Sequence, residues 1–126
     1  MKDIESRKDI EKLVDRFYEQ VRKDPLIGPF FTEIVQLNWD THIPVICDFW
    51  ESNLLDSTVY KGNPMDKHFA LHAKQPLKEA HFDRWLSIWE KTVFELFSGT
   101  VAAEAIRKAQ LIAGLMKYKI GQQGFL

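Results

Sequence analysis

Apolar residues recur along this chain at intervals of three and four. Ile10, Leu13, Val14, Phe17 and Val21 draw one stripe, which predicts an amphipathic helix. Ser6 suits its N-cap, with Asp9 three residues on, and Arg22 and Lys23 bring cations to its last turn. Pro25, Gly28 and Pro29 then break the pattern, with Phe30 and Phe31 directly behind them. A second helix is predicted over 39–55, with Trp39, Ile43, Ile46, Trp50 and Leu54 on one face and Asn38 or Asp40 as its cap. Pro44 fits only a first helical turn, so this helix is expected to start late, to kink, or both. Residues 57–64 read as a loop and 65–71 as at most a short helix before Pro76. A third helix over 78–97 carries Phe82, Trp85, Leu86, Trp89, Val93 and Phe97 on its buried side, and Ser98-Gly99 ends it. Thr100 is expected to cap a fourth, striped by Val101, Ala105, Ala109, Ile112 and Met116. The tail GQQGFL is expected to fray.

No stretch alternates with period two, so the fold class is all-α: four main helices with one long irregular connection after the second. A length of 126 residues matches a single domain, 1–126, with one core. Seventeen basic against eighteen acidic residues give a net charge of −1, which argues against a nucleic-acid partner. The charged N-terminus lacks a signal-peptide core, and uncharged runs are far shorter than a membrane span needs. With one cysteine, Cys47, no internal disulfide is possible. These features together predict a soluble cytoplasmic protein, and near-neutral charge leaves monomer as the default.

Chemistry has few places to reside. There is no Glu-x-x-His pair, phosphate-binding glycine loop, His-Glu-x-x-His helix or Cys-x-x-Cys clip. Cys47 follows Ile46 and reads as a small buried hydrophobe. The four histidines are His42, His68, His72 and His81. Histidines in helical proteins ordinarily serve at the surface or as satisfied core groups. His42, however, shares the face of Trp39, Ile46 and Trp50, and His68 lies between apolar residues in KHFALH. Tyr18 and Trp85 each bring one polar hydrogen into a region that otherwise reads as core. Both suit ordinary packing. They also suit a dry aromatic pocket with donors at its mouth, the environment of a flat, iron-bearing cofactor.

Four segments carry a resemblance: FYEQVRKDPLIGPFF (17–31), WDTHIPVICDFW (39–50), YKGNPMDKH (60–68) and HFDRWLSIWEKTV (81–93). In this order and at these intervals the chain resembles the truncated haemoglobins of group III, over most of its length from Ile10 to Met116. The resemblance implies a shortened globin fold, a two-over-two helical sandwich around haem b (iron protoporphyrin IX). It implies His68 as the proximal iron ligand through GNPMDKH, with His72 one turn later as the other candidate. Tyr18, Trp85 and His42 are implied as distal residues, and His42 can face the pocket or swing away from it. Ile46 and Trp50 would wall the distal side, Phe31 would pack on the haem face with Phe30 beside it, and Leu71 would join the cofactor's contacts. His81 reads more simply as a surface residue at a helix start. The implied function is reversible binding of O2, NO and CO at a pentacoordinate iron, the chemistry of oxygen transport proteins. The alternative is a redox enzyme, a nitric oxide dioxygenase or a peroxidase-like protein. The dioxygenase route needs a separate reductase, for which 126 residues leave no space.

Overall fold

The computed structural model describes residues 1–31, 39–55 and 77–122, with the backbone alone at 39 and 119–122. Among these residues there are four helices and no strand: α1 (Arg7–Lys23), α2 (Trp39–Leu54), α3 (Glu79–Leu96) and α4 (Thr100–Gln122). The predicted connection at 57–71 and the last four residues of the tail lie outside the described residues.

Helix α1 buries the predicted stripe, Ile10, Leu13, Val14, Phe17 and Val21, and adds Asp9 and Tyr18. It packs on α2 and α3; α3 packs on α4, and α2 also touches α4. Arg7 ties α1 to α2 through Asp48 at 2.6 Å and Glu51 at 2.8 Å. Gln20 Nε2 reaches from α1 to the fully buried Thr92 hydroxyl of α3 at 3.1 Å. The fourth helix buries Ala102, Ala105, Ala109, Ala113 and Met116. That stripe is displaced by one position from Val101 and Ile112, which lie half-buried at its edge. Alanines along this line let α4 approach α3 closely enough for Trp89 Nε1–H to donate to the Ala105 carbonyl at 3.1 Å.

Three terminus expectations need correction. Helix α2 starts at Trp39 and holds Pro44 inside it, so its start is not late. The bond Pro44 cannot donate would have gone to the carbonyl of exposed Asp40, where water can substitute. Ser6 takes the N-cap place of α1, but its side chain makes no cap hydrogen bond. Asp9 turns instead toward the N-terminal segment, accepting from Glu5 N–H at 2.8 Å and Lys2 Nζ at 2.7 Å. Thr100 is the first residue of α4 rather than its cap.

The cap of α4 comes from the far end of the chain. Asp3 Oδ2 accepts from Val101 N–H at 2.9 Å and Oδ1 from Ala102 N–H at 2.8 Å. The turn before it needs Gly99, whose φ is +135° and whose Cβ, were there one, would lie 2.5 Å from Asp3 Cγ. Burial opposes the charge on Asp3, but the N–H groups of Val101, Ala102, Ile4 and Thr100 outweigh it and hold the carboxyl below its usual range. With the folded pKa depressed, the unfolded chain binds the proton more readily between the two values. The cap's contribution is therefore present above the unfolded value and lost as pH falls through the folded one. Asp3→Ala is expected to cost about 1 kcal/mol in urea unfolding at neutral pH. The gap to the parent should narrow below about pH 4; a gap that stays constant into acid would show that the carboxylate does not cap α4.

Candidate functional site

The site begins where α1 ends. Asp24 Oδ2 accepts from the N–H groups of Leu26 and Ile27, both at 3.0 Å, and Gly28 N–H donates to the Asp24 carbonyl at 2.9 Å. A Cβ at position 28 would meet the carbonyl oxygens of Arg22 and Val21 at 2.9 and 3.0 Å, so only glycine lets the chain turn this closely. The turn delivers Phe30 and Phe31 beside the last turns of α1. Phe31 meets the Tyr18 ring edge-on at 5.9 Å, and Tyr18 meets His42 of α2 edge-on at 5.6 Å.

Beyond these rings lies a small apolar recess of about 30 Å³, lined by Ile27, Phe30, Phe31, Leu77, His81, Phe82 and Trp85. Phe30, Leu77 and Phe82 form a small core of their own with Ala113 and Met116 of α4. Phe31 and Trp85 bridge that cluster to the main core. Phe17 stands between Tyr18 and Trp85, with ring centroids 4.9 and 5.9 Å away.

Three of the residues named from the resemblance thus line one recess: Phe30, Phe31 and Trp85. Tyr18 and His42 stand behind Phe31, facing each other. Tyr18 is 5% exposed, and the Nε2 of His42 is buried. Ile46 is half-buried against the main core, and Trp50 is buried within it, stacked on Trp89 rather than lining the recess. His68, Leu71 and His72 lie outside the described residues.

His81 is the site residue that pattern reading undervalued. It does stand at the start of α3, but it is half-buried and lines the recess. Its Nδ1 accepts from Lys78 N–H at 2.8 Å, the side-chain half of a capping box with histidine at the third position, and its backbone N–H donates to the Lys78 carbonyl at 2.9 Å. Its ring meets Phe30 edge-on at 4.8 Å. Burial, then the neighbouring Lys78 charge, pushes its pKa down, so the neutral ring is favoured. Since Nδ1 is an acceptor, the neutral ring carries its proton on Nε2. A histidine in the first turn of the predicted third helix, just before Phe82, was the available signal.

Electrostatics sort the remaining groups. Burial, with a smaller contribution from Cys47, pushes the Tyr18 phenol well above its ordinary value, so it is a neutral O–H donor at physiological pH. Burial likewise pushes the Cys47 thiol up to about 12, against a lowering by Arg7, which makes it the inert core residue expected. Among the described residues no cluster of histidine, cysteine and carboxylate side chains could hold a bare metal ion. A cofactor that carries its own metal asks less of the chain: a dry aromatic slot, neutral donors and one axial nitrogen.

Comparison with known proteins bears on that slot directly. The family model described as bacterial-like globin matches residues 2–113. The chain belongs to the bacterial-like globins. It is similar to the group 3 truncated hemoglobin ctb of Campylobacter jejuni, 32% identical over 122 residues, covering 92% of this chain and 94% of that one. The crystal structure of a group III truncated hemoglobin from Campylobacter jejuni superposes with a TM-score of 0.84 at 29% identity, over 100% of both chains. The fold, four helices and no strand among the described residues, is therefore a truncated globin, and membership carries haem binding and the binding of small gaseous ligands with it. Among the described residues no helix is long and apolar enough to cross a membrane.

Proposed function

We infer that this globin holds haem b beside the aromatic recess, with His68 as its iron ligand, and that it binds O2, NO or CO reversibly. His68 would supply the imidazole that holds the iron, with His72, four residues on, the other candidate, and Leu71 would join the cofactor's contacts. Haem, when bound, supplies an iron with one open coordination position for a diatomic gas. The chain's own residues supply the rest. Phe30, Phe31 and Trp85 offer flat apolar walls, and Ile46 and Trp50 back the distal side. Tyr18 and Trp85 hold hydrogen-bond donors toward the ligand, and His42, beside Tyr18 on α2, governs entry.

The observation that carries this reading is the buried, neutral Tyr18 held between Phe31 and His42 next to an aromatic recess. A phenol kept out of water and uncharged suits donation to a ligand that draws electron density on binding. The residues present fit the cofactor: the recess is lined by apolar side chains and His81, and the donors beside it are uncharged.

Haem titrated into the purified protein is expected to give a sharp Soret band that saturates at one equivalent. Titration with no specific band would overturn the reading and leave a helical domain with an unassigned recess. Transport alone suits this site less well than retention, since two donors slow ligand release. The redox alternative, with hydroperoxide as oxidant or with nitric oxide and a separate reductase, is favoured in its first form by one feature, the stacking of Trp85, Trp89 and Trp50.

A further inference from the structure

Three of the four tryptophans form a continuous stack that starts at the recess wall. Trp85 lines the recess, and its ring is parallel to that of Trp89 within 5° at a centroid distance of 6.4 Å. Trp89 in turn lies 4.4 Å from Trp50, their planes 19° apart. Trp89 is 0% exposed and Trp50 3%. Packing accounts for burying these rings but not for their being indoles, since each buried indole brings an N–H that needs a partner. Indole differs from benzene in giving up one electron far more readily, and parallel rings this close together let such an electron pass between them.

We propose that Trp85, Trp89 and Trp50 form an electron relay that delivers electrons to the pocket when a hydroperoxide is reduced there, moving the oxidised centre from the recess wall into the core. The inference rests on the haem reading above. Direction comes from geometry. The Trp50–Trp89 pair is in closer contact than Trp85–Trp89, so a positive charge spreads over two rings there and is more stable than on Trp85 alone. The proton on Trp89 Nε1 is bonded to the Ala105 carbonyl, too weak a base to take it, so Trp89 passes electrons without losing its proton. Phe17 touches both Trp85 and Trp89 but is a poor electron donor, which confines the path to the indoles.

The reaction balances without any reductase. A hydroperoxide takes up two electrons and two protons, its O–O bond breaks, and it leaves as an alcohol and water. The relay supplies the two electrons. The pair that has lost them adds one water at an indole carbon and releases two protons, leaving a hydroxylated tryptophan. The sum is one hydroperoxide reduced and one oxygen atom gained by a tryptophan in the core, sparing the pocket wall.

The test treats haem-loaded protein with hydrogen peroxide and maps the gain of one oxygen atom by peptide mass spectrometry. The parent protein is expected to gain it at Trp50 or Trp89, although neither is accessible to peroxide in bulk water, with a tryptophan radical trapped by freeze-quench electron paramagnetic resonance. In Trp89→Phe the gain at Trp50 should disappear and that at Trp85 should rise; in Trp50→Phe it should move to Trp89. Oxidation of the parent confined to Trp85 and to exposed residues such as Met1 would overturn the relay, whatever the fate of the variants. Absence of haem uptake in the same preparation would overturn the haem reading itself and the relay with it, and the Soret band recorded beforehand separates the two failures.

Discussion

Haem-loaded His68→Ala is expected to lose the Soret band of the parent, whereas His72→Ala is expected to keep it. A globin pocket contributes one axial nitrogen, and apolar contact alone leaves the macrocycle without a fixed depth or a five-coordinate iron. The resemblance at GNPMDKH implies His68 for that role, and His72 follows it by four residues. Free imidazole added to His68→Ala should restore the band, because the cavity left by the side chain admits the missing ligand. Rescue separates lost coordination from lost folding, since a collapsed protein would not respond. If His72→Ala loses the band and His68→Ala retains it, haem binding stands and the ligand moves by one turn. Loss in neither variant would remove both histidines from the iron.

How much of this was legible in the sequence depended on which forces each element answers to. The helices were readable because burial selects a face, and the stripe from Ile10 to Val21 repeats at helical spacing. Tyr18 and Trp85 stood out as polar atoms in such stripes. The ends were less readable. Asp3 caps a helix that begins 97 residues later, and nothing local at position 3 encodes a partner at Val101. Pro44 misled because propensity weighs the lost hydrogen bond and not the solvent ready to replace it. His81 combines a bond at the helix start with a pocket wall, and one-dimensional spacing marks only its place at the helix start. The tryptophan stack was invisible as a stack: Trp85 and Trp89 share a helix face, but Trp50 reaches them only through the packing of α2. For the proximal ligand the sequence offered two histidines a turn apart, a choice that coordination chemistry, rather than hydrophobic pattern, decides.

The second large effect concerns the distal donors. Tyr18→Phe keeps the ring that packs between Phe17, Phe31 and His42 and removes only the O–H. Oxygen dissociation measured by stopped flow should accelerate roughly 10- to 100-fold, the equivalent of one hydrogen bond to a charged acceptor at about 1.5–3 kcal/mol. Trp85→Phe should act in the same direction by removing the indole N–H. Where both groups donate to one ligand atom, removing the first lets the second strengthen, so the double variant should fall short of the product of the two single effects. Unchanged dissociation in both single variants would dismiss distal donation. Alkali offers a further check on the same phenol. Burial raises the Tyr18 pKa above its ordinary value of about 10, so the proton it donates stays in place there. The parent's dissociation rate should therefore remain flat up to about pH 10, where an exposed phenol would already be half ionised. An acceleration beginning below that pH would mean that Tyr18 opens to water in the ligand-bound protein, and that its hydroxyl does not hold the ligand.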